Sequence, residues 1–411
     1  MAGSKVRIGR PAEYPDRQLM LTLNLKKSEE RRLLAGHLWV FSNELAEATG
    51  PYEPGALARI RSASGRFLGV GTYNRASLIA CRVFTSKDEP VDAAFLARRL
   101  RAALDQRGVW FPGETAYRLI NSEGDFLPGF VADRYGDCLV VQATTAGAER
   151  LLSEFLEALE VVLSPRAVVL RNDSQARALE GLEAYTRTAK GQVNGPLEVR
   201  CEGLTFRVDP LTGHKTGFYF DQRQNWAAGA ALSAGKRVLD LFCYTGAWSL
   251  AAARAGAGSV TAIDSSGPAL ELARANAASN GLAGRISFLE ADALAFLEEA
   301  GRERRTFDVV FLDPPPYARS KKDAAAALAA YERLARKALA VLVPGGYLLA
   351  SSCSYHTGAE EFGRALVRAA SADGHWLRLL EWRGQSRDHP AVLAMPETRY
   401  LKCAVTQKVE G

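Results

Sequence analysis

Cysteine is scarce in this sequence, and its spacing is irregular. The 411 residues contain six cysteines and no CxxC pair, at Cys81, Cys138, Cys201, Cys243, Cys353 and Cys403. Scattered single cysteines argue against a disulfide framework and against a zinc site, because both need several thiols at suitable spacing. We therefore expect no metal site, and a reducing compartment, the cytoplasm, as the place where the protein works.

Long hydrophobic runs are also absent. No apolar stretch approaches the roughly 20 residues that a helix needs to span a bilayer. The first residues, Met1 to Lys5, lack the apolar core of a secretory signal. These absences predict a protein without a membrane partner.

Neither sign of charge dominates strongly. The chain has 52 Lys and Arg against 46 Asp and Glu, which gives a formal net charge of +6. This excess suits a polyanionic partner such as a nucleic acid, but solvated basic faces explain it equally well. Hydrophobic residues make up 47% of the chain, which is ample for two or three folded domains at this length.

The pattern of apolar residues divides the chain into four segments. Residues 1–19 are polar and predict a flexible arm. Residues 20–95 contain short strands separated by turns, which predicts a small β-barrel. Residues 96–205 mix strands and helices and predict a central α+β domain. Strands and helices alternate from 206 to 411, which predicts a Rossmann-like α/β domain whose parallel sheet is closed by a final antiparallel pair.

Acidic residues follow successive predicted strands of the last segment. Asp240, Asp264, Asp292 and Asp313 each stand at a strand end, and the carboxyl ends of parallel strands meet at one edge of a sheet. A single aspartate in such a place is usually a helix N-cap, but four in succession predict a nucleotide site. Asp264 is placed to accept from ribose hydroxyls, and Asp292 from an adenine amino group.

The turn after the first of these strands is not the GxGxxG fingerprint of dinucleotide-binding proteins. It contains Thr245 and Gly246, small residues that let a ligand approach the backbone closely. Together with the four aspartates, it resembles class I S-adenosylmethionine-dependent methyltransferases, and the resemblance implies S-adenosylmethionine as cofactor. The residues predicted to bind it are Asp240, Phe242, Tyr244, Thr245, Gly246, Asp264, Ser265, Asp292, Ala293, Asp313 and Gln222.

One cysteine also stands at a strand end. Cys353 follows an apolar run and lies between Ser352 and Ser354, where a loop begins. Free cysteines are often buried structural thiols, but this position at the sheet edge favours a catalytic nucleophile. Cys243, by contrast, is expected to be a structural part of the first loop.

Several motifs together carry a resemblance to a known family. Besides Asp313-Pro314-Pro315 and Ser352-Cys353-Ser354, they occupy residues 36–42, 118–125, 127–129, 213–223 and 388–390. The sequence closely resembles the RlmI-like bacterial methyltransferases, which form 5-methylcytosine in large-subunit ribosomal RNA. The resemblance covers about residues 20–406. It implies an RNA-binding PUA domain, a central α+β domain and a Rossmann-like methyltransferase domain, and it allows a homodimer.

The chemistry of cytosine explains why a cysteine belongs in this family. C5 is a poor nucleophile, and addition of the Cys353 thiolate to C6 makes it enamine-like. Asp313 is expected to hydrogen-bond N3 or the amino group, while the prolines after it fix the backbone. The sequence does not identify the group that removes the C5 proton. The residues predicted to contact RNA are Lys215, Phe218, Arg223, Pro314, Pro315, Tyr317, Arg319, Lys321 and Lys322.

Two other functions are compatible with the sequence. The segment from Asp313 to Tyr317 also resembles the signature of amino-group methyltransferases, whose aromatic ring stacks on the flipped base, although an extra proline shifts Tyr317 by one position. Such an enzyme, acting on RNA or a small molecule, has no use for Cys353. The second alternative is a noncatalytic RNA-binding protein, and the intact set of Asp240, Asp264, Asp313 and Cys353 argues against it.

Overall fold

The computed structural model describes residues 20–50, 52–213, 216–318 and 320–410. The predicted arm of residues 1–19 lies outside this range. The described part contains, in chain order, a six-stranded, a five-stranded, a two-stranded and a seven-stranded sheet. None of its helices is both long and apolar enough to cross a membrane.

The first sheet is made of short strands with alternating burial. Leu21, Leu23 and Leu25 of the first strand all point into the core, as the period of two predicts. The elements are β1 (Leu21–Leu25), α1 (Arg31–Leu34), β2 (Trp39–Val40), β3 (Leu45–Thr49), β4 (Ala56–Arg61), β5 (Phe67–Tyr73) and β6 (Cys81–Thr85). Their order in the sheet is β2-β6-β5-β4-β1-β3.

The middle of the chain packs helices on one face of a mixed sheet, in the order β11-β10-β9-β8-β7. A separate hairpin, β12-β13, follows it. On the other face of the sheet, Tyr135 and Val140 share a core with Trp226 of the C-terminal unit. The elements are α2 (Ala93–Trp110), β7 (Ala116–Asn121), β8 (Phe130–Tyr135), β9 (Cys138–Ala143), α3 (Ala146–Arg150), α4 (Leu152–Leu163), β10 (Ala167–Asn172), β11 (Tyr185–Lys190), β12 (Leu197–Cys201) and β13 (Leu204–Val208).

Strands and helices alternate through most of the C-terminal unit, as the sequence predicts. Its elements are α5 (Arg223–Ala231), β14 (Arg237–Leu241), α6 (Ala247–Arg254), β15 (Ser259–Asp264), α7 (Gly267–Ser279), β16 (Ile286–Glu290), α8 (Ala293–Arg302), β17 (Phe307–Leu312), α9 (Ala324–Val341), β18 (Leu342–Ser352), α10 (Ala359–Ser371), β19 (His375–Arg383) and β20 (Lys402–Glu410).

The seven strands of this unit form one sheet in the order β16-β15-β14-β17-β18-β20-β19. The first five are parallel, and β20 runs antiparallel between β18 and β19. Central strands such as Phe307–Leu312 are nearly continuous apolar runs because both faces of the sheet are covered. The predicted Rossmann-like class and its closing antiparallel pair are therefore confirmed.

A long loop between β19 and β20 ties the units together, and we call residues 384–401 the C-terminal loop. Asp388 is fully buried in it: its backbone oxygen accepts from Arg107 at 2.8 Å, and its carboxylate accepts from the Arg118 backbone N–H at 3.1 Å. Farther along, Glu397 lies 3.5 Å from His37, which precedes β2 in the N-terminal unit. The loop therefore contacts both preceding units before the chain re-enters the sheet beside Cys353.

Two predicted helices differ in extent from those observed. The sequence pattern predicts one helix over residues 147–162, whereas the structure has two helices there, α3 and α4, which meet at Leu151. The pattern also predicts a helix over residues 331–342, and the observed helix α9 begins seven residues earlier, at Ala324. Its first turns are mostly alanine, which forms helix readily but carries little of the amphipathic signal on which the prediction relies.

Candidate active site

The chain order of the parallel strands reverses between β14 and β17, so the loops that follow them diverge and leave a crevice. A cavity of about 480 Å³ lies there, which is within the usual range of small-molecule sites. It is lined by Phe218, Tyr219, Asp221, Gln222, Trp226, Phe242, Cys243, Tyr244, Thr245, Ala247, Trp248, Asp264, Ser265, Ser266, Asp313, Pro314, Pro315, Pro316, Cys353, Tyr400 and Leu401.

The loop after β14, residues 242–246, has an unusual backbone conformation, and we call it the cofactor loop because it contains predicted cofactor residues. Phe242, Tyr244 and Gly246 all have positive φ angles, of 65°, 48° and 87°. Such angles are uncommon for residues other than glycine, and they cluster where a chain approaches a ligand. The loop then becomes the first turn of α6 at Ala247. The predicted cofactor residues Phe242, Tyr244 and Thr245 consequently line the cavity.

Asp264 holds this loop in place from the neighbouring strand. One carboxylate oxygen accepts from the Tyr244 backbone N–H at 2.8 Å, and the other accepts from the Ser266 backbone N–H at 2.9 Å. The side chain lines the cavity together with Ser265. Each carboxylate oxygen can accept more than one hydrogen bond, so this arrangement fits a pair of ribose hydroxyls.

Asp240 lies beneath the loop and does not line the cavity. Its carboxylate is fully buried and accepts from the Ser249 hydroxyl at 2.5 Å. Burial is the main reason that the pKa of this carboxyl is raised to about 7; the Ser249 hydrogen bonds lower it, and the Asp313 and Asp264 carboxylates raise it. Asp240 therefore supports the loop from beneath and does not reach the cavity, so the predicted contact with the cofactor is not seen.

The raised pKa of Asp240 makes stability depend on pH. The unfolded carboxyl has a pKa near 3.8, so the folded state becomes progressively less favoured as pH rises from 3.8 to 7. Asn cannot ionise, and Asp240→Asn is expected to gain about 2 to 3 kcal/mol more relative to wild type at pH 8 than at pH 5. Unfolding midpoints of both proteins at the two pH values test this. An equal difference at both would contradict it.

Asp292 and Ala293 also lie outside the cavity lining. The Asp292 carboxylate is exposed and accepts from the Ala295 backbone N–H at 2.9 Å, so it is the N-cap of α8. Ala293 is buried against the apolar core. Asp292 therefore caps a helix, and it is not among the residues that line the cavity.

Asp313 is half-buried at the end of β17 and is held on both oxygens. Oδ1 accepts from the Gln222 amide at 2.8 Å, and Oδ2 accepts from the Trp248 indole N–H at 3.2 Å. Gln222 in turn accepts from Asn225 at 2.6 Å, which fixes the amide orientation. A carboxylate oriented in this way is suited to receive a hydrogen bond from a bound base.

Cys353 faces the same cavity from the end of β18. It is half-buried, and its Sγ lies 4.0 Å from the backbone oxygen of Pro314. The other five cysteines are buried. Behind the loop, the buried Lys402 ammonium donates to the backbone oxygens of Ser354 at 2.6 Å and Tyr400 at 2.7 Å. The structure thus brings Cys353 and Asp313 to one cavity, as predicted from the strand ends.

The predicted RNA-contacting residues are only partly in this cavity. Pro314 and Pro315 line it, and so does Phe218, although the latter ring is buried among Phe206, Phe220 and Trp226. Lys322 is exposed outside the lining. Lys215 and Arg319 lie outside the described residues, as does the side chain of Lys321.

Arg223 was predicted to contact RNA, but it is buried between two units of the fold. Its side chain is 0% exposed, lies 2.9 Å from Glu202, and stacks 4.0 Å above the centre of the Phe111 ring. It also donates to the backbone oxygen of Ala116 at 3.1 Å. A guanidinium enclosed in this way cannot reach an RNA phosphate, and it instead joins the central sheet to the C-terminal unit.

Three further aromatic residues line the site, and two of them, Trp248 and Tyr400, were not predicted as site residues. Tyr219 meets Tyr244 edge to face with ring centres 5.2 Å apart, Trp248 donates to Asp313, and Tyr400 donates to Asp221 at 2.7 Å. Trp248 stands in the first turn of the helix that follows the cofactor loop, and this position could have identified it. Tyr400 carries no such signal, because it reaches the cavity only through the C-terminal loop.

Comparison with known proteins places this site in a family. Residues 174–391 match the model of an S-adenosylmethionine-dependent methyltransferase, and residues 23–86 match a PUA-like domain. The chain is 38% identical over 395 residues to the ribosomal RNA large subunit methyltransferase I of Shewanella denitrificans, covering 95% of this chain and 100% of that one. The chain belongs to the ribosomal RNA large subunit methyltransferase I family. The Aeromonas hydrophila member is 37% identical to this methyltransferase, covering 94% and 99% of the two chains.

Two solved structures share the fold of this methyltransferase along nearly its whole length. SMU.776, a methyltransferase complexed with SAH, has a TM-score of 0.82 at 22% identity, covering 94% of this chain and 100% of that one. A SAM-dependent methyltransferase from Streptococcus mutans has a TM-score of 0.80 at 22% identity, with the same coverage. The predicted combination of a PUA-like domain and a methyltransferase domain is thus confirmed.

The cavity suits the cofactor of the family. S-adenosylmethionine, which this methyltransferase uses, carries a ribose, an adenine and a methionine group. Asp264 offers the acceptors that a ribose needs, and the positive φ angles of the cofactor loop expose its backbone. Aromatic rings of Phe242 and Tyr244 supply apolar walls beside them. The cavity residues therefore fit the cofactor.

Proposed function

We propose that this methyltransferase modifies C5 of a cytosine in large-subunit ribosomal RNA through a covalent adduct between Cys353 and C6. The observation that carries the proposal is the half-buried Cys353 thiol in the same cavity as the oriented Asp313 carboxylate. The full-length relatives named ribosomal RNA large subunit methyltransferase I support the RNA substrate. Bound S-adenosylmethionine supplies the methyl group.

In this proposal the chain activates the base by nucleophilic addition. The Cys353 thiolate forms a bond to C6, and the electron pair of the C5–C6 double bond becomes available at C5. Asp313 accepts a hydrogen bond from the exocyclic amino group, or shares a proton with N3, and so orients the ring. Once C5 carries the methyl group, its proton leaves, the C5–C6 double bond returns and the thiolate is released.

The surroundings of Tyr317 weigh against the amino-group alternative. In the amino-group methyltransferases whose signature this segment resembles, the aromatic ring stacks on the flipped base. The Tyr317 ring instead packs on Tyr331, with ring centres 5.0 Å apart, and does not line the cavity. An amino-group enzyme would also leave the cavity-facing thiol of Cys353 without a role.

We also propose that the N-terminal sheet and the central sheet serve the same RNA. In this division, residues 20–95 form an RNA-binding PUA-like domain, residues 96–205 a central domain and residues 206–411 the methyltransferase domain. The match of residues 23–86 to a PUA-like domain supports the first of these assignments. A homodimer stays a prediction of the resemblance.

Nucleoside mass spectrometry of ribosomal RNA tests the proposed function. Cells that lack this protein are expected to lose 5-methylcytosine from one position of large-subunit RNA, and the wild-type gene is expected to restore it. A gene encoding Cys353→Ala should fail to do so at equal protein level. Loss of an N-methylated base with 5-methylcytosine untouched would instead establish the amino-group alternative.

A further inference from the structure

A second and larger cavity adjoins the active-site cavity at Leu401. Its volume is about 880 Å³, and Leu401 lines both cavities. We call it the basic groove. It lies between the loop after Cys353, the end of β19 and the C-terminal loop, and the side chains that define it are Tyr355, Thr357, Trp382, Ser386, Arg387 and Arg399.

Two arginines of the basic groove have no acidic partner. Within the described part of the chain, no carboxylate lies at ion-pair distance from Arg387 or Arg399, and both side chains are exposed. Arg387 is nevertheless held in place, because its guanidinium lies 4.1 Å from the centre of the Trp110 ring. Glu397 is the single carboxylate among the residues that line the groove, and it faces His37 at 3.5 Å. The groove therefore presents fixed positive charge.

Two hydroxyl groups of the groove have no hydrogen-bond partner among the described residues. Thr357 and Ser386 are each 2% exposed, and both line the groove. A buried hydroxyl without a partner destabilises the fold, so such groups are rare unless a ligand completes them. Both hydroxyls can donate, which together with the arginines makes a set of donors suited to a ligand rich in acceptor oxygens.

Exposed aromatic rings stand beside these donors. Tyr355 is 51% exposed and Trp382 is 42% exposed, and Tyr355 follows Cys353 by only two residues. Aromatic faces next to basic groups are the usual means of binding unpaired RNA, in which bases stack on the rings and phosphates meet the cations. A free phosphate would use the donors but not the rings, and a double helix keeps its bases stacked inside.

We propose that the basic groove binds the sugar–phosphate backbone of the unpaired RNA strand that adjoins the target base. The inference rests on the proposed function for its RNA partner, and it names where that RNA lies. Arg387 and Arg399 pair with phosphates, Thr357 and Ser386 donate to phosphate or ribose oxygens, and Tyr355 and Trp382 stack on flanking bases. Leu401, shared by both cavities, marks where the strand passes into the active site.

Charge-neutralising variants test the two arginines. Arg387→Gln and Arg399→Gln should each weaken binding of protein-free large-subunit RNA from cells lacking this protein by about five- to tenfold at moderate salt. Each should also reduce the slope of log K against log salt concentration by about 0.7, as expected for one lost phosphate contact on a single strand. The loss should appear in KM for RNA, with the Kd for S-adenosylmethionine unchanged.

Arg378→Gln is the matched control for these arginines. Arg378 is exposed on β19, the strand that carries Trp382, but it does not line the groove, and its side chain donates to Gln407 at 3.2 Å. We expect its salt slope to equal that of wild type. If all three variants give the wild-type slope, or all three reduce it equally, the groove has no particular role in binding RNA.

Removing a hydroxyl separates a binding role from a structural one. Thr357→Val keeps the side-chain shape and deletes a buried donor that has no partner, so the midpoint of thermal unfolding should stay the same or rise. KM for RNA should nevertheless rise about three- to tenfold, and Ser386→Ala should behave alike. Unchanged KM in both variants would overturn the proposal.

The outcome for the groove can be told apart from the outcome for the reaction. Binding of an unpaired 20-nucleotide RNA to the wild type and the arginine variants needs no methyl transfer. If wild type methylates no ribosomal RNA but the variants still lose this binding, the proposed function fails and the groove assignment stands. If wild type methylates the RNA and every variant binds it equally, the groove assignment fails alone.

Discussion

Cys353→Ala is expected to abolish methyl transfer to RNA, with a loss of at least about a thousandfold, while the Kd for S-adenosylmethionine changes by less than about threefold. Loss of an activating nucleophile removes the covalent route altogether, and effects of this size or larger follow when such groups are deleted. The thiol lies at the end of β18, 4.0 Å from the backbone oxygen of Pro314, whereas the cofactor loop follows β14. Incorporation of a labelled methyl group measures the first quantity, and calorimetry measures the second.

Cys403→Ala is the control for the general effect of losing a thiol. Cys403 pairs with Ser351 across the adjoining strands and is buried behind the cavity, so its variant should keep activity within a few-fold of wild type. RNA that contains 5-fluorocytidine adds a second readout, because fluorine at C5 cannot leave as a proton and the adduct should persist. Wild type should then form a denaturation-resistant complex. A Cys353→Ala variant that methylates at the wild-type rate would refute the covalent mechanism.

The part of the site that follows from strand order could be predicted from the sequence. Apolar runs that end in Asp264, Asp313 and Cys353 identify the strands, and parallel strands bring their carboxyl ends to one edge. No distance in the fold has to be known for this argument. The same reasoning placed Asp240 and Asp292 at strand ends, but Asp240 is buried inside β14 and Asp292 lies beyond β16 as the N-cap of α8.

The remaining features depend on contacts between residues far apart in the chain. Arg223 was predicted to contact RNA. The sequence could not reveal its burial, because its partners, Glu202 and the buried Asp388 of the C-terminal loop, come from separate segments. The basic groove likewise takes Tyr355 from one loop and Arg387 from another. No periodicity or local motif signals that such residues meet, since their proximity is fixed only when the units pack together.

Asp264→Ala should produce the second large effect, a loss of about a hundredfold or more in affinity for S-adenosylmethionine. The variant would lack the carboxylate that we propose to bind the ribose. It would also leave the Tyr244 and Ser266 backbone N–H groups, which now donate to Asp264 at 2.8 and 2.9 Å, without this acceptor. Charge-assisted hydrogen bonds are roughly twice as strong as neutral ones, and losing several at once moves the cofactor loop from its bound shape. Calorimetric titration with S-adenosylmethionine measures the loss.

Asparagine is not a neutral replacement at this position. Asp264→Asn keeps one acceptor oxygen, but its amide NH₂ would face one of the two backbone N–H groups, donor against donor. We therefore expect Asn to weaken cofactor binding by at least about tenfold, between wild type and Ala. A weaker effect than this would mean that the loop holds its shape without Asp264, and that the backbone strain at Tyr244 is supported by other contacts.

Asp292→Ala provides the comparison that separates the two aspartates. Asp292 caps α8 through the Ala295 N–H and lies outside the cavity lining, so its loss should lower thermal stability slightly and leave the Kd for S-adenosylmethionine within about threefold of wild type. Equal losses of affinity for the Asp264 and Asp292 variants would restore the adenine contact predicted from the sequence. Unequal losses would show that neighbouring strand ends of the same type divide between binding the cofactor and starting a helix.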